Sequence, residues 1–142
     1  MTLSAIIIGF VEHLRSQQFI SDTQAAVLRF DSASTFTDAE DAARVAPGFA
    51  YVVGLDSVGN DYVGQNPPPL LRLRTFVACL HAGLAGQELN PLEATELATR
   101  VNSTTFLADG KEIQVWLTSD AVDLTATIPC MEYTIRFELI AS

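Results

Sequence analysis

Two cysteines and two histidines are the side chains of this 142-residue sequence best suited to metal binding or nucleophilic attack. Cys79 and His81 are two positions apart, which puts both on one face of a strand. A metal that met both would still need further ligands, from Cys130 or a carboxylate, to complete a zinc site. A nucleophilic thiol would need exposure beside a base. The neighbours of Cys79, which are Val77, Ala78 and Leu80, point to an interior position that disfavours the thiolate. Two cysteines so far apart do not make a disulfide scaffold, and a single bond between them requires that their strands be neighbours. The sequence holds no Gly-rich phosphate loop, no Gly-x-Ser-x-Gly elbow and no His-Glu-x-x-His. No catalytic residue, metal or cofactor is expected.

Charge points to surfaces instead. The formal net charge is -9, from 17 acidic and 8 basic residues, which opposes tight binding to nucleic acid phosphates. An acidic surface can serve solubility, and it can also line a passage through which a duplex slides without sticking. Asp38, Glu40 and Asp41 cluster where a helix is expected to start, and there they favour its positive end. The apolar run 5–11 falls far short of the roughly 20 residues that cross a bilayer, so no membrane span is expected. The first basic residue, Arg15, comes after that run, contrary to a secretory leader, and the reading is a chain made in the cytoplasm.

The hydrophobic share of 49% can fill one core, and the elements around it follow from periodicity. Leu3, Ile6, Ile7, Phe10, Val11 and Leu14 have helical spacing and predict a helix over 2–17, with Ile8 assigned to a wide core face. A short strand is expected over 25–30 and a loop over 31–36. Thr37 and Glu40 have capping-box spacing and predict a helix over 38–45, stopped by Pro47 and Gly48. Residues 49–55 suit a central strand. Residues 56–69, with three consecutive prolines, predict a protruding hairpin or lobe.

Residues 70–82 alternate as a strand that puts Arg72 and Arg74 on one face. Asn90, Pro91 and Glu93 open a helix expected to run to 107 with Leu97, Ala98, Val101 and Thr105 inward. Asp109 and Gly110 form a turn pair, 112–117 a strand, 120–129 a loop and 131–140 the clearest strand. The fold class expected is α+β, a single domain over 1–142. It has one mixed, mostly antiparallel sheet packed against two or three helices, with a protruding loop or hairpin lobe.

The order of elements resembles the tail terminator, or tail completion, proteins of long-tailed bacteriophages, including relatives in Mu-like and lambda-like phages. The resemblance is carried by the leading helix, residues 39–45 running into Pro47 and the strand 49–55, the lobe, the strand 70–82, the helix 91–107 and the closing strand 131–140. It covers nearly the whole chain and rests on element order, not on a catalytic signature. It implies a homo-oligomer, a six-fold ring on the head-proximal end of the tail tube, that ends tube growth and presents a surface to the head connector or neck. The tail tube protein is then a partner, with sheath and neck proteins as further ones, and DNA passes without specific binding. The location implied is the virion, after assembly in the host cytoplasm.

On that resemblance, Arg72, Arg74 or Arg136 would meet Asp38, Glu40 or Asp41 of a neighbouring copy. Asp56, Asp61, Tyr62, Pro67 and Pro68 of the lobe would dock a partner or face the lumen, with the prolines lowering the entropy cost of ordering. A head-tail joining protein would share these traits. A small hydrolase or thioesterase would instead need an acid or thiol in a pocket, and a small-molecule binder would use the rings of Phe49, Tyr51 and Phe76.

Overall fold

A computed structural model of the chain describes residues 3–45, 47–58, 71–81, 92–126 and 131–141. The helical apolar spacing at the start becomes α1 (Leu3–Arg15), whose buried stripe is Ile6, Ile7, Phe10, Val11 and Leu14. A six-residue helix, α2 (Gln18–Thr23), follows, and it is too short for periodicity to reveal. Gln24 ends it in the left-handed region at φ 58°, and β1 (Ala26–Arg29) begins two residues later.

The next helix, α3 (Ser34–Ala43), starts four residues before the expected position. Its entry is organised by Thr35, not Thr37. The Thr35 hydroxyl donates to the Asp31 carboxylate at 2.7 Å and accepts from the Asp31 and Ser32 backbone N–H groups. This reciprocal turn ties down the first residues before the capping-box pair is reached, and it also holds the Asp31 carboxyl below its ordinary pKa. Asp38, Glu40 and Asp41 therefore lie in the later part of α3, and none occupies the positive end assigned to them.

Strand β2 (Phe49–Val58) runs past residue 55, so Asp56, Ser57 and Val58, expected in the lobe, continue the sheet. The remainder of that lobe lies outside the described residues. Then come β3 (Leu71–His81) and α4 (Leu92–Val101). The helix expected to reach 107 ends at Val101, because Ser103 takes a left-handed conformation at φ 67°. Residues Thr105–Ala108 form β4, with Phe106 and Ala108 buried, so Thr105 is an exposed strand residue and not part of a helix stripe. Asp109 and Gly110, at φ 50° and 74°, make the tight hairpin into β5 (Lys111–Ala126).

That strand continues through 120–126, where a loop was expected. The uninterrupted partner β6 (Met131–Ala141) supplies pairing from Val122 opposite Ile135 to Ala126 opposite Met131, after a register irregularity beyond Leu117. Backbone pairing thus outweighs the polar composition of the segment.

The six strands form one sheet in the order β1-β2-β3-β6-β5-β4. All neighbours are antiparallel except β1 and β2, which are parallel because α3 carries the chain back across the sheet between them. The fold is α+β with a single mixed, curled sheet. Alternation along the strands separates two faces. The inner face presents Tyr51, Val77, Val115, Ile135, Phe137 and Leu139 to α1 and α4, and the outer face packs its Ala50, Val52, Ala78 and Leu80 against Ala39 and Ala43 of α3.

Helix α1 touches both outermost strands, β1 and β4, so the sheet wraps it. Phe10 is fully buried between Phe106, stacked at 5.9 Å, and Phe137, edge-on at 5.7 Å. Gly9 permits the close approach: a Cβ there would stand 3.0 Å from the Phe106 ring. Ile8, assigned to the core face by its type, points away from the wrapped side and is 47% exposed. No helix among the described residues is long and apolar enough to cross a membrane.

Because Phe10 joins the N-terminal helix to strands from the far end of the chain, Phe10→Ala is expected to destabilise the fold by about 3–5 kcal/mol. Urea unfolding measures this, and a loss under about 1 kcal/mol would contradict the packing described.

Candidate subunit interface

The outer face of the sheet is divided. Helix α3 covers the part built from β1, β2 and one end of β3, while no described helix covers the part built from the rest of β3, β6, β5 and β4. Alternation delivers the side chains of this uncovered part: Arg72 and Arg74 from β3, Arg136 and Glu138 from β6, Trp116 from β5 and Leu107 from β4. Register places Trp116 and Arg74 on either side of Glu138.

The charges on this surface are organised within the chain. Arg72 Nε lies 2.5 Å from Glu138 Oε1, with each side chain only 22% exposed. Asp56 is the extra residue at a register irregularity in β2, and its carboxylate reaches across β3 to Arg136 at 3.5 Å. Asp56 thus serves as the partner of an arginine, a role the lobe assignment did not foresee. Trp116, opposite Glu138, is 43% exposed beside these ion pairs, and Leu107, on the edge strand β4, is 70% exposed. A large aromatic set among arginines on an open sheet face is the composition found at the centres of protein interfaces.

Of the acidic residues named for the neighbouring side, Asp38 and Asp41 are exposed on α3, with Asp41 3.7 Å from Arg44, which caps the end of that helix. Glu40 is half-buried and lies close enough to Glu132 on β6 to repel it. Partial burial, with the added repulsion of Glu40, raises the pKa of Glu132 against an opposing hydrogen bond from Thr134. The arginine set and the acidic set therefore occupy one side of the sheet, at different ends of it. Asp61, Tyr62, Pro67 and Pro68 lie outside the described residues.

The groups that could do chemistry sit elsewhere. Cys79 and His81 are both buried on the inner face, where the His81 ring stacks on Phe49 at 6.5 Å. Cys130 lies outside the described residues, as does any bond to it. Among the described residues no three His, Cys, Asp or Glu side chains converge as metal ligands. The rings of Phe49 and Tyr51 belong to the inner core. His13 stacks on Phe106 at 5.4 Å and its Nε2 is 2.8 Å from Thr104 Oγ1. Since that hydroxyl donates to Val101 O at 2.6 Å, the imidazole must be the donor to Thr104, which sets the Nε2–H tautomer. Burial lowers the pKa of His13.

Sequence reasoning missed Glu138 and Trp116, although the signal was present: an alternating strand whose inward residues are Ile113, Val115 and Leu117 must point Trp116 outward. Leu107 was hidden by its assignment to a helix.

No protein-family model matches the chain, and no curated protein is significantly similar to it. Among solved structures, one whose name describes no function aligns with 100% of this chain and 96% of its own length. Its TM-score is 0.58 and its sequence identity 14%. At that identity the likeness shows a common fold and leaves function to the site itself.

The folded chain binds a proton at Glu132 more tightly than the unfolded chain does, so the ionised form costs stability at neutral pH. Glu132→Gln is expected to raise the melting temperature at pH 7, and the gain should shrink as pH falls and vanish below about pH 3.5, where the carboxyl is protonated in both states. The opposite sign applies to His13. Its folded pKa is depressed, so stability present above about pH 6.5 is lost as pH falls towards the folded value. His13→Gln keeps a donor for Thr104 but cannot titrate, and it should flatten that loss when urea midpoints at pH 7.5 and 5.5 are compared with the parent chain.

Proposed function

We propose that the chain is a structural subunit of a phage tail, assembling as a ring at the head-proximal end of the tail tube, where it ends tube growth and joins the tail to the head connector. The observation that carries this reading is the uncovered part of the outer sheet face, where Trp116 stands exposed beside the arginines of β3 and β6 and Leu107 is exposed on the edge strand β4. A neighbouring copy that laid the acidic surface of α3 on this face would bring Asp38 and Asp41 towards Arg74 and bury Trp116. Arg72 and Arg136 already have Glu138 and Asp56 beside them, so they would enter such a contact partly neutralised, with less desolvation still to be met.

The order of helices and strands supports the same reading, because the resemblance to tail terminators rests on it. The surplus of acidic residues suits a passage for DNA, which is repelled from the wall and not held by it. In this role the protein acts by fitting to copies of itself and to the tube protein, and not by catalysing a reaction. Its location would be the tail or neck of the virion.

Negative-stain imaging and light scattering of the purified chain, with and without tail tube protein, test the proposal. Six-fold rings capping one end of tubes of limited length are expected, and replacing Trp116 by Ala together with Arg74 by Glu should abolish capping while the chain stays folded. Tubes that elongate with bare ends in an excess of the folded protein would refute it.

A further inference from the structure

Among the described residues, both outermost strands carry backbone groups that no strand pairs with, and the two edges are closed in different ways. In β4, Val115 N–H donates to Thr104 O at 2.9 Å, so alternation turns the backbone of Phe106 and Ala108 towards β5 and that of Thr105 and Leu107 outward. There α1 itself is the cover: Leu107 O lies 3.5 Å from the point that a Cβ on Gly9 would occupy. In β1, Phe30 N–H donates to Val53 O at 2.8 Å, so Val27 and Arg29 turn outward. What closes this edge is one side chain. Arg15 Nη2 donates to Val27 O at 2.7 Å, and Val27 is only 3% exposed although it lies on an outermost strand.

An edge shut by a helix backbone opens only when the core opens, whereas one shut by a single arginine opens by rotation of that side chain. The Arg15 side chain is half exposed, and its other partner, Glu12 at 2.7 Å, is more exposed still, so the ion pair holds it weakly. Hollows border the edge on either side of Arg15. One, of about 410 Å³, is lined by Ile20, Ser21, Gln24 and residues 25–28. The other, of about 250 Å³, is lined by Ile8, Val11, Glu12 and Arg29.

These features specify an occupant. The outward N–H and C=O groups of Val27 and Arg29 follow the repeat of a strand, and an extended backbone is what satisfies such a row. Side chains on one face of an added strand stand roughly 7 Å apart. The first would enter the hollow beside Ile20, the second would meet Arg15, and the third would enter the hollow beside Ile8. Arg29, exposed and in no ion pair among the described residues, adds a second positive charge. A second copy paired edge to edge would bring these arginines against their own equivalents, whereas a segment bearing a carboxylate has the complementary charge.

We propose that the β1 edge takes up an extended segment of another polypeptide as an added strand, apolar at two positions four apart and acidic midway between them. Arg15 is the gate: it leaves Val27 O to an incoming N–H and turns to the incoming carboxylate. The site lies at the opposite edge of the sheet from Leu107 and does not depend on the ring reading.

NMR titration of the full chain with the capped peptide Thr-Val-Thr-Asp-Thr-Val-Thr tests it. Saturable amide shifts are expected in β1 and around Arg15, and replacing the central aspartate by lysine weakens binding by about tenfold or more. Methylating the backbone nitrogens along one edge of the peptide abolishes binding, and methylating those along the other edge does not. Arg15→Glu, checked for its fold by thermal melting, cancels the preference for aspartate, and Trp116→Ala changes nothing. Unmoved β1 amides at about 5 mM peptide overturn the proposal. So do equal binding of the two methylated peptides and a folded Arg15→Glu chain that still prefers aspartate. Dimers formed through this edge without peptide would give it to a second copy and overturn the proposal as well.

Discussion

The burial of one helix inside one curled sheet is the constraint on which this structure depends. Phe10 meets rings from β4 and β6, and the stripe around it reaches both outermost strands, so α1 is the filling about which the sheet bends. A flat sheet of six strands would leave the inner row from Tyr51 to Ile135 in water, or would need a second layer of helices wider than the described chain provides. Close approach at Gly9 matters for this reason. The helix is held at a distance that lets Phe106 and His13 stack on its flank.

With the inner face committed to the core, the outer face is where the chain can meet other molecules. There α3 uses alanines, Ala39 and Ala43, to lie close on Ala50, Val52 and Ala78, and it screens only part of the surface. The remainder carries large and charged side chains, yet its ion pairs are closed within the chain. On this surface the half-buried Arg72 and Glu138 neutralise each other before any partner arrives, so covering it would change mainly the exposure of the apolar groups between the charges.

Elements with long, regular patterns were legible in the sequence. The stripe of α1, the alternation of β3 and β6 and the turn at Asp109-Gly110 follow from local geometry that no tertiary contact needed to override. Errors arose where a partner outside the segment's own pattern decides. Residues 120–126 join a strand because β6 extends alongside them. Residues 105–108 leave the helix because β5 returns to pair with them, and α3 begins early because Thr35 finds Asp31. The candidate site was legible in part: the arginines share the expected face, while Glu138 and Asp56 as their companions depend on register across three strands, which spacing along one strand does not disclose.

The wrapped position of α1 has a consequence for biosynthesis. It is the first described element to leave the ribosome, yet the rings that enclose Phe10 belong to residues 106 and 137. Until nearly all of the chain has been translated, its oily stripe has no permanent cover. The nascent polypeptide must either shield that stripe against transient neighbours or lean on a chaperone, and the final collapse waits for closure of a loop that spans most of the molecule.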